Sequence, residues 1–198
     1  MNRTIGEAVV VAGLILLGGC STKSDPMQTY NINPNLKFSK LPHSIYREKS
    51  VKVAYPINIK GRSGTSIYYA YNRLEDGVYQ DSSWSSNSSQ LLTSSIMLAL
   101  EHGRVFKSVV DYTSLANTDY LLESEVYDFY HKLRKDLSLS VVSIRFDLIS
   151  TDNNILIKSK KFSYEIPTET VNAVGYVKAT NIALERLSAD LSRWLGRS

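Results

Sequence analysis

The sequence is short of the residues from which metal and catalytic sites are built. Its 198 residues include one cysteine, five prolines and three histidines. A single cysteine excludes an intrachain disulfide and any site with two or more thiolate ligands. His43, His102 and His131 show no HExxH or HxH spacing, and no serine lies in a GxSxG or SxxK motif. We therefore expect no metal, no cofactor and no enzyme activity, with the histidines solvated or capping.

The charge balance and the apolar runs set further limits. Lys and Arg number 23 against 19 Asp and Glu, so the net charge is only +4. This excess is too small to make nucleic acid the leading partner, and we expect none to bind. No apolar run reaches the roughly 20 residues that a membrane-spanning helix needs. With 43% hydrophobic residues, the chain can bury a core, and its length fits one domain.

The first twenty residues have the three parts of a bacterial export signal. Arg3 is followed by an apolar run from Ala8 to Leu17, and small residues come next. Leu17-Gly18-Gly19-Cys20 matches the lipobox of lipoprotein signal peptides. That match implies cleavage between Gly19 and Cys20 and acylation of Cys20, which would anchor the chain in a membrane. The alternatives are a secreted protein with a stray cysteine and an uncleaved anchor.

The chain divides into three parts by composition. Residues 1–19 are the predicted signal peptide. Residues 20–49 carry Pro26, Pro34 and Pro42 with no lasting helical or strand period, and we expect an acylated N-terminus followed by a flexible tether. Residues 50–198 are the predicted folded domain.

The domain opens with strand patterns. Apolar residues alternate from Val51 to Ile59, which predicts a half-buried strand with an edge or bulge at Pro56. Ser66–Tyr71 predicts a second, more buried strand. Asp76-Gly77 predicts a tight turn ahead of a short strand.

Helix and strand patterns then follow one another. Leu91–Leu100 has helical spacing, with Ser88 or Ser89 as the N-cap and Gly103 as the terminating glycine. Residues 105–110 predict a short strand, and residues 120–130 fit strand or helix, of which we prefer strand for their β-branched and aromatic content.

Two long strands close the sheet around a turn at Thr151–Asn154, and an amphipathic helix spans about Val171–Leu195. Both long strands switch inward parity midway, which requires a bulge or burial on both faces, and we predict a bent hairpin. The order indicates a single α+β domain, with a mainly antiparallel mixed sheet and two principal helices packed on one face.

Charged and aromatic clusters have alternative interpretations. Glu123 and Glu125 share a strand face, which more simply is a solvated one. The stretch Lys158, Lys160 and Lys161 fits a protected strand edge better than a contact with lipid headgroups or an acidic partner. The 13 tyrosines fit either ordinary sheet composition or a partly wet interface.

The stretch Tyr68–Tyr130 resembles the ABC-type transport auxiliary lipoprotein family, which includes the PqiC-like lipoproteins. The resemblance is carried by the order of four motifs: Tyr68-Tyr69-Ala70-Tyr71; Trp84; a helix followed by Gly103-Arg104-Val105-Phe106; and Asp119-Tyr120-Leu121-Leu122. The lipobox and the closing helix with Trp194-Leu195 agree with it.

The resemblance implies a non-catalytic outer-membrane lipoprotein facing the periplasm. Its partners would be an MCE-domain protein and the ABC transporter components that move phospholipids or related lipids between membranes. Ser21, standing after the cysteine in place of Asp, agrees with sorting to the outer membrane of a Gram-negative cell. The anchoring residue would be Cys20, and candidate contacts are Trp84, Tyr69 and Tyr71. Self-association into a homo-oligomer stays open, and the alternative function is activation of a cell-wall synthase or outer-membrane assembly.

Overall fold

A computed structural model describes residues 26–36 and 44–197 of the chain. The predicted signal peptide, the cleavage site at Gly19 and the acylation site at Cys20 lie outside these residues. The described part forms one α+β domain with nine strands in a mixed sheet and two helices, which confirms the predicted fold class. In chain order the elements are β1 (Gln28–Tyr30), β2 (Ser50–Val53), β3 (Ile57–Asn58), β4 (Ser66–Ala70), β5 (Asp76–Trp84), α1 (Ser88–Gly103), β6 (Ser108–Asp111), β7 (Tyr120–Arg134), β8 (Leu137–Ser150), β9 (Leu156–Pro167) and α2 (Ala173–Gly196).

The sheet is built on three long antiparallel strands. β7 pairs with β8 along its whole length, and β8 pairs with β9. The stretch that fitted either strand or helix is thus a strand, as predicted. β9 pairs with β8 alone among the described strands, so its lysines do lie on a sheet edge.

The other edge of β7 is shared by three short strands. β2, β3 and β4 each pair with it in parallel, at Tyr120–Leu122, Glu125–Val126 and His131–Lys132 respectively. Farther out, β6 is parallel to β2, β5 is antiparallel to β4, and β1 is parallel to β5.

The sheet has two ends, which are called the tyrosine end and the Asp119 end. At the tyrosine end, β4 finishes and β7 turns into β8, close to Tyr69, Tyr71 and Tyr79. At the Asp119 end, β7 begins directly after Asp119 and β8 finishes.

Both helices lie on one face of the sheet. α2 packs on β8, β9 and α1, and the side chains of β8 on this face are fully buried: Val142, Ile144, Phe146 and Leu148. Burying each such side chain contributes roughly 1.5–3 kcal/mol. Within the described ranges neither helix is long and apolar enough to cross a membrane.

The parity switch in β8 is resolved by burial on both faces. Val141 and Val142 point to opposite faces, and both are buried. The pairing of β8 with β9 shifts register between Leu148 and Ile149, close to the turn, with no shift in the middle of the hairpin. The bulge next to the switch is in the neighbouring strand, since the pairing of β7 with β8 shifts register between Val126 and Asp128, opposite Ile144 and Ser143.

The ends of α1 differ from those predicted. Asn87 is the N-cap, and its Oδ1 accepts a hydrogen bond from the Ser89 amide at 3.0 Å. Arg104 takes the left-handed C-cap conformation with φ of 50°. Gly103 lies within the helix, where an added Cβ would come within 2.9 Å of Ser192 Oγ on α2. The close approach of the two helices thus explains this glycine.

The alternation from Val51 to Ile59 does not form one strand. β2 and β3 are separate, and Pro56 lies between them, since proline cannot donate to a sheet ladder. Val51 and Val53 are buried as predicted, whereas Ile57 is 65% exposed.

The predicted tether is ordered where the structure describes it. Gln28–Tyr30 forms β1, a strand too short to show a period. Tyr46 is 5% exposed, and its ring centroid lies 5.4 Å from that of Phe106 and 4.9 Å from that of Tyr120. These two stretches therefore belong to the domain, and the predicted tether boundary at residue 49 needs correction.

Candidate functional site

An open pocket with a volume of about 790 Å³ lies at the tyrosine end. It is bordered by β4 and β5, by the turn between β7 and β8, and by the residues that precede α2. The lining residues are Tyr69, Tyr71, Val78, Tyr79, Gln80, Leu133, Arg134, Lys135 and Val171.

Three tyrosine rings form one wall of this pocket. The ring centroid of Tyr69 lies 5.4 Å from that of Tyr71 and 5.2 Å from that of Tyr79, and both pairs are edge to face. Tyr69 lies over Gly77 of the neighbouring strand, where an added Cβ would come within 2.7 Å of the ring. Glycine at position 77 is therefore what lets the Tyr69 ring rest on β5.

A buried histidine supports the tyrosine wall from below. His131 is fully buried, and its ring stacks on Tyr176 of α2 with a centroid distance of 5.3 Å. Its Nδ1 shares a hydrogen bond with the Tyr79 hydroxyl at 2.8 Å, and its Nε2 shares one with Ser138 Oγ at 2.8 Å. Because both partners are hydroxyl groups, either neutral tautomer is satisfied.

Burial keeps this support uncharged. It lowers the pKa of His131 to about 4, so the imidazole is neutral at pH 7. Burial also raises the pKa of Tyr79 to about 12, with neighbouring Tyr71 and Tyr69 adding to the effect. The His131 imidazole and the Tyr79 hydroxyl therefore carry no charge at pH 7, and the cations in the lining are Arg134 and Lys135.

The lining suits binding better than chemistry. It combines phenol rings and aliphatic side chains with two cations and one amide, and it holds no carboxylate or thiol. Because its pKa is raised, the Tyr79 phenol is a poor proton donor and supplies no phenolate base at pH 7. The pocket fits a ligand with an apolar body and a polar or anionic group.

The Asp119 end is held by exposed charged contacts. The carboxylate of Asp119 accepts hydrogen bonds from Ser50 Oγ at 2.7 Å, the Ser50 amide at 2.8 Å and Lys49 Nζ at 3.2 Å. These contacts join the starts of β2 and β7. The hydrogen bonds from Ser50, followed by the one from Lys49, lower the pKa of Asp119 to about 2.

With this geometry established, comparison with known proteins identifies the fold. No family model matches the sequence, and no curated protein matches it. The domain is similar to the crystal structure of protein XCC0632 from Xanthomonas campestris, described as DUF330, with a TM-score of 0.72 and 18% identity over 84% of this chain and 94% of that one. This chain shares its fold with that DUF330 protein. The likeness is consistent with the resemblance to the PqiC-like family.

Two further structures share the fold at lower similarity. One is an uncharacterized protein, with a TM-score of 0.63 and 16% identity over 86% of this chain and 99% of that one. The other is the PelC dodecamer from Paraburkholderia phytofirmans, with a TM-score of 0.52 and 18% identity over 81% of this chain and 96% of that one.

The residues chosen from the sequence have different positions in the fold. Tyr69 and Tyr71 meet in the pocket wall. Trp84 is only 2% exposed and packs on Phe129 and Tyr176. It is a core residue and not the surface contact that the sequence predicted, because the end of β5 carries its side chain under α2.

Sequence reasoning missed four residues of the site. Tyr79, Arg134 and Lys135 line the pocket, and His131 supports it. His131 was expected to be solvated or capping, but it lies in the second half of β7, where every second residue is buried: Phe129, His131 and Leu133. That periodicity of β7 was the available signal for its burial.

Proposed function

We propose that this chain is a lipid-anchored, non-catalytic auxiliary subunit of an MCE-type ABC transporter, acting on the periplasmic face of the outer membrane. The fold shared with a DUF330 protein is the observation that supports it most. The lipobox at Leu17–Cys20 supports the anchor. The order of the motifs from Tyr68 to Asp119 supports the family.

The surface of the domain fits a docking role. At the Asp119 end, the first residues of β9 and those before them expose apolar side chains: Ile155, Leu156 and Ile157 are 54%, 54% and 43% exposed. Three consecutive exposed apolar residues on an edge strand offer a partner both apolar area and free backbone groups. We assign the contact with the MCE-domain protein to this end.

Self-association is part of the proposal. PelC, which shares this fold at 18% identity, was crystallised as a dodecamer. In the described part of the chain β1, β3, β6 and β9 each pair with a single strand, and their other edges are available for contacts between copies. The mass of the detergent-solubilised protein measures this directly: a monomer at micromolar concentration would contradict it.

The anchor is tested by labelling cells with a radioactive or alkyne-bearing fatty acid. The wild-type chain should incorporate the label, and Cys20→Ser should lose all of it, because the cysteine sulfur and the new N-terminus are the acylation sites. Ser21→Ala is the matched control and should keep the label. Label entering Cys20→Ser would contradict the lipobox.

The partner is tested by purifying the tagged wild-type chain from detergent-solubilised membranes. We expect an MCE-domain protein, and with it the ATPase and permease. Leu156→Asp should lose the MCE-domain protein while keeping the acyl label. Recovery of a cell-wall synthase with no MCE-domain protein would contradict this proposal and favour the alternative, activation of a cell-wall synthase.

A further inference from the structure

The chain enters the domain close to the tyrosine pocket. β1 is parallel to β5, with Gln28 opposite Ser82. Followed two residues back in the same register, Pro26 comes alongside Gln80, which lines the pocket. Pro26, the first of the described residues, therefore lies beside the pocket.

The segment between the lipobox cysteine and this point is short. Cys20 and Pro26 are six residues apart. A chain extends by at most about 3.6 Å per residue, so Pro26 lies within about 22 Å of Cys20.

The two ends of the sheet lie at different distances from Pro26. Tyr69 pairs with both Gly77 and His131, so these two residues are at the same level of the sheet. On β5, Gln80 lies between Val78, which is opposite Tyr68, and Ser83, which is opposite Ser66, so it is about 3–10 Å from that level. β7 has one bulged residue between His131 and Tyr120, and β8 spans the same levels in ten residues, from Ser140 to Ser150, which is about 33 Å.

Measured along the strands, Pro26 is consequently about 23–30 Å from the level at which β7 begins, whereas the segment spans at most about 22 Å. The tip of the tyrosine end lies closer. Asp76, where β5 begins, is four residues from Gln80, or about 13 Å. With the long strands upright on a membrane, an acylated Cys20 can therefore bring the tyrosine end to its surface, but not the Asp119 end.

The tyrosine end exposes side chains that suit a lipid interface. Leu74 at the tip of the loop between β4 and β5 is 94% exposed, and Val171 before α2 is 73% exposed. Tyr71 is 52% exposed beside them, and tyrosine favours the boundary between water and acyl chains.

Charges of both signs lie at this end. Arg134 and Lys135 are followed directly by Asp136, and Arg73 stands near Glu75. We therefore assign the contact with lipid to the apolar side chains, with the cations beside phosphate groups.

We propose that the tyrosine end lies against the phospholipid leaflet that holds the Cys20 anchor, with Leu74 and Val171 in the headgroup layer and the tyrosine pocket open toward lipid. This orientation rests on the proposed acylation of Cys20. It leaves the Asp119 end pointing away from that leaflet.

The test compares two probe positions in the full-length acylated chain. Leu74→Cys and Leu115→Cys are matched, because both leucines are almost fully exposed, at 94% and 99%, and lie at opposite ends. Each variant is labelled with an environment-sensitive fluorophore and reconstituted into phosphatidylethanolamine–phosphatidylglycerol vesicles containing headgroup-quencher lipid. We expect the probe at position 74 to lose most of its fluorescence and the probe at position 115 to keep it.

Each outcome decides a separate point. Equal quenching at the two positions, or stronger quenching at position 115, overturns the orientation while leaving the anchor standing, provided that the fatty-acid label is present. A probe at position 74 that is unquenched by lipid and shielded from aqueous iodide indicates a protein contact there, which also overturns it. Absence of the fatty-acid label removes the anchor, and the orientation falls with it.

Discussion

At the tyrosine end, His131 is fully buried between two aromatic rings, whereas at the Asp119 end the Asp119 side chain stays 38% exposed beside a lysine. Both groups fasten β7 to its neighbours. His131 makes its contacts as a neutral ring, and Asp119 makes its contacts as an anion. The same strand is thus held by desolvated aromatic contacts at one end and by solvated charged contacts at the other.

The difference shows how one sheet serves two surfaces. The hydrogen bonds of His131 are uncharged, so the pocket wall above them can stay apolar. An ionised carboxylate in the place of His131 would be costly, because it would be a buried charge without a partner. Charged hydrogen bonds at a solvent-facing strand end avoid that cost, and they contribute less because water competes with them.

The largest expected effect is that of removing the aromatic core beneath the tyrosine end. Trp84→Ala should lower the free energy of unfolding by about 3–5 kcal/mol, because a large buried ring is deleted. Tyr71→Ala, at a half-exposed position of the pocket wall, should cost less than about 1 kcal/mol. Urea unfolding followed by far-ultraviolet circular dichroism measures both. Similar losses for the two variants would mean that Trp84 is not a core residue.

The next largest effect is the pH dependence that His131 gives to the tyrosine end. Its pKa in the folded chain, about 4, is below the ordinary value near 6.5, so the unfolded chain binds the proton more readily. Stability that is complete above pH 6.5 should therefore fall between pH 6.5 and pH 4, by up to about 3 kcal/mol.

The urea concentration at the midpoint of unfolding, measured between pH 6.5 and pH 4, tests this pH dependence. His131→Gln should flatten the decline, while His102→Gln, a change at an exposed helix position, should leave it unchanged. A decline of equal slope in His131→Gln would assign the pH dependence to another group.

The smallest effect is expected at the Asp119 end. Asp119→Asn should cost about 1 kcal/mol at pH 7, since the side chain is partly exposed and its charged hydrogen bonds are screened. Because the folded pKa of about 2 is below the ordinary value, the stability that Asp119 contributes is present above about pH 4 and is lost toward pH 2. Asp152→Asn, in the exposed turn after β8, is the control. A larger loss of unfolding free energy for Asp152→Asn than for Asp119→Asn would contradict the stabilising role of Asp119.

The long elements could be predicted because their patterns repeat. α2 shows a helical period, and β7 alternates on each side of its bulge between Val126 and Asp128. β8 was recognisable from its length and strand-forming residues, since it buries six residues in a row, Leu139–Ile144. β1 could not be predicted, because three residues cannot show a period and its order comes from pairing with β5. Pattern likewise favoured one strand from Val51 to Ile59, although Pro56 interrupts the ladder.

The pocket could be predicted only in part. Tyr69 and Tyr71 are conspicuous because they stand together in a short strand. Tyr79 and His131 meet through pairings between strands that are far apart in sequence, which composition does not reveal. Trp84 was expected to be a surface contact, whereas it ends β5 and its side chain is covered by α2.

The parallel pairing of three short strands on one edge of β7 also sets the order in which the domain can assemble. Ser50 and Asp119 are 69 residues apart in sequence, whereas β7, β8 and β9 follow one another through short turns. Contacts between distant residues form slowly, because the intervening chain must be closed into a loop first. A chain synthesised from its N-terminus presents β2, β3 and β4 before the strand they pair with exists. β7, β8 and β9 then form first, and β2, β3 and β4 pair with β7 afterwards, so the N-terminal part of the domain is completed last.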